Sequence, residues 1–328
     1  MSDEQQKSGS SLGPALLPQL NAACHGHLKD IRWFRTDWQR GGAATAYGVL
    51  GGDHETPERD VVIKFPIGPR EYRVLIGLGE TDAPTPRIAF HGTQLGSFDM
   101  AWVVMERMAG EPLKSDPSKA SFQLCAEAVA SFYKHAERCW PLQEHETSAD
   151  WEGLIAKARA SAKLNVIPDA QRWSNTIHRV QRMLERLLIK WHTRPVNAWC
   201  HGDLHLANVM LREPDSPWCP SSEPRDTPTA ILFDFANVRS GHWIEDAIYL
   251  ERQYWANRDI MKKVKPVSLI ARARREAGLP TEDHTQLASI RRILLASCVP
   301  AFLEREGHPT YLAAALDTLE KQLDLVNL

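Results

Sequence analysis

Between Cys200 and Met210 the chain reads CHGDLHLANVM, which places two histidines, an aspartate and an asparagine within the eight residues from His201 to Asn208. Two chemistries fit this spacing. On a strand, His201, Asp203 and His205 would recur every second residue on one face, an arrangement that suits a transition metal. On a loop, His201 is hydrogen-bonding support, Asp203 a base and Asn208 an oxygen donor to a hard cation. The loop reading requires partners elsewhere, and they occur in order along the chain. Asp234, in FDFANV, follows a buried apolar run and joins Asn208 as an oxygen-rich set for Mg2+, with nucleotide phosphates completing the coordination. Lys64 ends the run VVIK and supplies a cation for phosphate oxygens, with Glu71 to hold its ammonium. Gly41 and Gly42 make a turn open enough for backbone N–H groups to cover the phosphates.

The elements that must position these residues fall into two regions. A short amphipathic helix over 12–28 precedes the strand DIRWFRTDW, the Gly41–Gly42 hairpin and the β-branched strand VVIKFP, which Pro66 closes. PREYRVLIGLGE has helical spacing, and PRIAFHGTQ and MAWVVMERM read as two more strands, so five strands and one helix fill roughly the first 110 residues. Beyond Gly110 the periodicity turns helical, with helices expected over 121–138, 150–162 and 175–192. The last is marked by Ile177, Val180, Leu184, Leu187, Leu188 and Trp191. Two short strands, NVMLR and AILFDF, follow. The stretch between them carries five prolines and reads as an exposed loop. The remainder, from 245 to 328, is again helical in pattern.

Taken together, GGAATAY, VVIK, REYRVL, WVVMERMAGEPL, HGDLHLAN and FDFANV make the chain resemble the aminoglycoside phosphotransferase family, the small-molecule branch of the protein-kinase-like fold. The resemblance implies an α+β, bilobal fold. Its N-terminal lobe, residues 1–108 with 1–11 as a mobile tail, holds an antiparallel five-stranded sheet with one helix and binds nucleotide. Residues 109–328 form a mainly helical lobe for catalysis and substrate. The family pattern makes Asp203 the catalytic base, Asn208 and Asp234 the Mg2+ ligands, and Lys64 with Glu71 the phosphate-binding ion pair. The main chain from Glu106 to Met108 would bond the adenine of ATP, or the guanine of GTP. His201, His205 and Asp246 are structural support, with Asp246 bracing the catalytic loop. Glu71 follows Lys64 closely, so their connection must be short, and Glu80 is the alternative carboxylate. The acceptor is expected to be an aminoglycoside-like molecule, a sugar or an amino alcohol.

Composition sets the outer bounds. Apolar residues make up 43% of the 328 and charged residues 24%, the balance of a globular protein. The formal net charge of −2 gives no general basic field to gather nucleic acid. Six scattered cysteines without a CxxC pair suit reduced thiols and a cytoplasmic location. The polar opening MSDEQQKSGSSLGP has no apolar run behind a basic end, so no secretory signal is expected, and no window approaches the roughly 20 apolar residues of a bilayer crossing, so no membrane partner is expected. Only eleven residues separate Asp234 from Asp246, too few for the activation segment of a protein kinase. Two other functions compete with the small-molecule kinase: a metal-dependent hydrolase using His201, Asp203 and His205, and a nucleotide-binding scaffold without turnover. Trp243, Tyr254 and Trp255 could form an aromatic cage for a cation. Glu245, Glu251 and Asp259, read as solvated positions on an exposed helix, could bind an amino sugar.

Overall fold

A computed structural model describes residues 12–35, 43–51, 58–143, 149–219, 226–282 and 284–326. Its contacts divide the chain into two compact units. The first joins Met1–Glu111 to Met210–Asn237, and the second joins Pro112–Val209 to Val238–Leu328.

The first unit is built on a five-stranded antiparallel sheet. Helix α1 (Leu12–Ala23) leads into β1 (Leu28–Arg35), β2 (Ala44–Leu50) and β3 (Arg59–Phe65). Helix α2 (Pro69–Leu78) follows, then β4 (Ile88–Gly92) and β5 (Trp102–Glu106). The strand order is β1-β2-β3-β5-β4, so β3 is central, with Lys64 opposite Thr45 on one side and Val103 on the other. Alternation along β3 sends Val61, Ile63 and Phe65, all fully buried, to one face and Lys64 to the other. On the apolar face Leu16 and Leu20 of α1 join Val104 and Trp102, and each such fully buried side chain contributes about 1.5–3 kcal/mol.

The same apolar cluster contains Trp218, from the five-proline stretch. That stretch was expected to be exposed, yet its tryptophan is only 8% exposed and the Arg59 guanidinium lies over its ring at 5.1 Å. Proline and polar residues conceal a single large apolar side chain here. Residues 220–225 lie outside the described ones.

Strands β6 (Ala198–Cys200), β7 (Val209–Arg212), β8 (Thr229–Leu232) and β9 (Arg239–Gly241) form two small sheets, β6 with β9 and β7 with β8. The β7–β8 hairpin groups with the first unit although it lies a hundred residues beyond the expected 108/109 division. Arg212 explains the grouping: its guanidinium donates to both Glu106 carboxylate oxygens, at 2.7 and 2.5 Å, and to the Thr85 carbonyl at 3.0 Å, while Leu232 N–H donates to the Pro84 carbonyl.

The second unit is helical around the β6–β9 pair. Helices α3 (Lys119–Cys139), α4 (Trp151–Leu164) and α5 (Ala170–His192) precede the pair's first strand. Helices α6 (Ile244–Arg252), α7 (Arg258–Lys263), α8 (Pro266–Glu276), α9 (Thr285–Cys298), α10 (Leu303–Glu306) and α11 (Pro309–Leu325) follow its second. By length and composition the run Thr285–Glu306 could cross a membrane, contrary to the expectation that no window would. Its apolar residues are instead spent inside the unit: Ile290, Ile293 and Leu294 are fully buried, and α9 packs on α5 and α11. All six cysteines are free.

Candidate active site

The loop that follows β6 is held by its main chain. Asp246, in the first turn of α6 and 1% exposed, accepts the His201 N–H on Oδ2 at 2.7 Å and the Gly202 N–H on Oδ1 at 2.8 Å. Tyr133 of α3 donates its hydroxyl to the same Oδ2 at 2.9 Å. Two main-chain N–H groups on one carboxylate require the loop to turn sharply at Gly202, which has φ +82°, a conformation that glycine adopts without strain. His201 is fully buried, and its Nδ1 accepts the Asp203 N–H at 3.3 Å. The Asp203 carboxylate remains about a quarter exposed, with His205 Nε2 3.7 Å from its Oδ1.

This geometry separates the two readings of the motif. His201, Asp203 and His205 lie on a loop and do not share a strand face. Among the described residues no group of three or more His, Cys, Asp or Glu side chains is placed to hold a metal ion. The ligand set of the hydrolase alternative is therefore not assembled.

Asn208 ends a 3₁₀ turn, Leu206–Asn208, and donates its side-chain amide to the Asp203 carbonyl at 3.0 Å. That bond occupies the amide nitrogen and leaves the amide oxygen as the side chain's acceptor. In the first unit Asp234 is exposed and holds φ +61°, a left-handed conformation in which aspartate is among the few tolerated side chains. The buried Phe235 follows it. Taken singly, the Asp234 carboxylate and the Asn208 amide oxygen are each hard donors of the kind that fits Mg2+.

Also in the first unit, Lys64 Nζ lies 2.5 Å from Glu71 Oε1. Pro69 at the start of α2 makes the short connection workable, and Glu71 shares one helical stripe with Val74, Leu75 and Leu78, all buried. Glu80, the alternative partner, is exposed. Burial pushes the Glu71 carboxyl above its ordinary value; the Lys64 ammonium offsets part of this, and the Asp234 carboxylate adds to it. At the end of β5 the Glu106 carboxylate is occupied by Arg212, and the Glu106 and Arg107 N–H groups donate to the Arg87 and Asp60 carbonyls. The Met108 side chain is buried. The Gly41–Gly42 turn lies outside the described residues.

Several expected site features dissolve. Glu245 is buried and accepts from Arg194 and Arg239, and Glu251 is buried and chelated by Arg292 at 2.7 and 2.6 Å. Neither carboxylate is presented to a ligand, because α6 is packed on more than one side. Asp259 is exposed and lies 3.5 Å from Lys262. Trp243 is fully buried and Trp255 only 6% exposed, so no cage forms with Tyr254. A residue missed in the sequence is Tyr249, whose phenol hydrogen-bonds the Asp203 carboxylate; burial and that carboxylate push its pKa up. Its position one helical turn after Asp246 was the available signal.

A family model described as "Phosphotransferase enzyme family" matches residues 55–259, more than half of the chain. No curated protein sequence matches it. Among solved structures, an aminoglycoside phosphotransferase from Alicyclobacillus acidocaldarius covers 98% of this chain, and 99% of that one is covered, with 12% identity and TM-score 0.56. A protein of Ralstonia eutropha JMP134 provisionally classed as an aminoglycoside phosphotransferase gives 95% and 99% coverage, 14% identity and TM-score 0.56. A thermostable mutant of the aminoglycoside phosphotransferase APH(4)-Ia, in ternary complex with AMP-PNP and hygromycin B, gives 96% and 98%, 13% identity and TM-score 0.52. At these identities the likeness establishes the fold, which is the protein-kinase-like one.

Proposed function

The chain belongs to the phosphotransferase enzyme family, and from that premise we propose that it is an ATP- and Mg2+-dependent kinase of a small hydroxylated molecule with Asp203 as base. The observation that carries the reading is the Asp203 carboxylate: accessible to solvent, on a loop whose main chain is fixed by Asp246 and whose next turn is tied back by Asn208.

In the proposed reaction the acceptor hydroxyl hydrogen-bonds Asp203, which orients one oxygen lone pair toward the γ-phosphorus. The new O–P bond forms as the bond to the β,γ-bridging oxygen breaks, ADP departs, and the hydroxyl proton passes to the Asp203 carboxylate. Such transition states are loose, so positioning and charge neutralisation supply most of the rate. Lys64, oriented by Glu71, holds phosphate oxygens. Asn208 and Asp234 would hold Mg2+, which supplies neutralisation of phosphate charge. Tyr249 and His205 flank the carboxylate and hold it in its reactive orientation.

The experiment is ADP release with Mg2+ and ATP over aminoglycosides, sugars, sugar acids and amino alcohols. Acceptor-dependent release supports the reading. Nucleotide binding with no release in any condition favours the scaffold, and tight stoichiometric zinc favours the hydrolase.

A further inference from the structure

Beside the catalytic loop the second unit contains a cavity of about 280 Å³, bounded by Lys114, His205, Gln253 and Tyr254 over an apolar floor of Pro117 and Leu206. His205 joins it to Asp203, since its Nε2 is 3.7 Å from that carboxylate. The volume lies just below the range of ligand pockets, which run from about 300 to 1,000 Å³, and suits a single sugar-sized molecule.

The charge in this cavity is one-sided. Lys114 is exposed and makes no ion pair among the described residues, and no carboxylate lines the cavity. Three acidic side chains of α6 and α10 are already partnered, while Glu304 of α10 is exposed and is not among the lining residues. Glu245 is enclosed by arginines, Glu251 is chelated by Arg292, and Glu306 is paired with Arg252. Among the lining residues a ligand with several ammonium groups would meet a lysine and no carboxylate, the adjoining Asp203 being engaged by the reacting hydroxyl, and like charges at close range select against a partner.

We propose that the acceptor is a small polyol bearing an anion, either a carboxylate or a phosphate, with the anion bound by Lys114 and a hydroxyl delivered to Asp203. Gln253 and the Tyr254 hydroxyl bond the remaining hydroxyls. This deepens the kinase reading and rests on Asp203 being the base.

The test is calorimetric titration of D-gluconate, D-glucose 6-phosphate, D-glucose and hygromycin B onto the full chain, as wild type, Lys114→Ala and Lys114→Glu. Lys114 is exposed, and unchanged melting temperatures establish that both variants fold. At least one anion is expected to bind about tenfold or more tightly than D-glucose, to lose about tenfold in Lys114→Ala and to lose more in Lys114→Glu. The preferred anion distinguishes carboxylate from phosphate. Tighter binding of hygromycin B than of both anions, anion affinity indifferent to Lys114, or no anion binding at all would each overturn the proposal. ADP release with hygromycin B that disappears in Asp203→Asn would overturn the anionic class and leave the kinase standing. Lys114-dependent anion binding without ADP release from that anion and ATP would uphold the site and overturn the kinase.

Discussion

Asp246 Oδ2 lies 2.7 Å from the His201 main-chain nitrogen while Oδ1 lies 2.8 Å from that of Gly202, so a helix-borne carboxylate determines the shape of the loop that carries Asp203. Charge-assisted bonds of this kind contribute about 1.5–3 kcal/mol each, and their loss leaves buried N–H groups unpaired. Asp246→Ala should therefore destabilise the protein by about 3–5 kcal/mol in urea unfolding. The milder Asp246→Asn should keep the fold at a smaller cost and still reduce turnover, because one loop N–H loses its acceptor.

The Lys64–Glu71 pair should act on nucleotide more than on folding. Burial already disfavours the charged form of Glu71, so Glu71→Gln should change stability by less than about 1 kcal/mol. It should nevertheless raise the KM for ATP about tenfold by releasing the Lys64 ammonium. A double-mutant cycle with Lys64→Met should return a coupling of about 1–3 kcal/mol in nucleotide affinity. Additive effects would mean that the pair does not work as a unit.

Trp218 should matter to stability alone. Removing a buried tryptophan from a packed cluster costs about 3–5 kcal/mol, so Trp218→Ala should lower the melting temperature strongly. In the fraction that remains folded, kcat should stay close to wild type, as measured by active-site-normalised kinetics.

Acid should weaken the fold by a specific route. His242 is fully buried, its Nδ1 accepts the Ile244 N–H at 3.1 Å, and burial pushes its pKa down to about 3. An unfolded histidine titrates near 6.5, so between about pH 6.5 and 3 the unfolded chain takes up a proton that the native state refuses, and stability falls as pH drops. Glu245 acts in the same direction at lower pH. Burial alone would raise its carboxyl, but Arg291, Arg194 and Arg239 hold it at about 2, so its contribution is present above about pH 4.5 and lost below. His242→Asn keeps an acceptor for the Ile244 N–H and removes the titration. Its melting temperature should fall less steeply than wild type between pH 6.5 and 4.5, and an unchanged slope would exclude the histidine.

Much of this arrangement was legible in the sequence, for reasons that particular residues make plain. Lys64 stands at the end of a β-branched run, so its strand and its face follow from alternation, and the α2 stripe that carries Glu71 follows from helical spacing. The three-residue strands β6 and β9 are too short to carry a periodic signal, although their pairing sets the stem of the loop that carries Asp203. Trp218 was hidden because a proline-rich context reads as solvent-exposed whatever side chain it contains. Glu245 and Glu251 looked solvated because one helix's sequence does not reveal which other segments of the chain donate arginines to it. That information lies in tertiary packing: Arg194 and Arg292 come from positions 51 residues before Glu245 and 41 residues after Glu251.

The most direct test of the account is Asp203→Asn, with turnover and nucleotide affinity measured on the same preparation. General-base positioning of this kind contributes about 10²–10⁴ in rate, so kcat should fall by that factor while the Kd for AMP-PNP with Mg2+ stays within about threefold. Turnover that survives the substitution would contradict the assignment of Asp203 as the base.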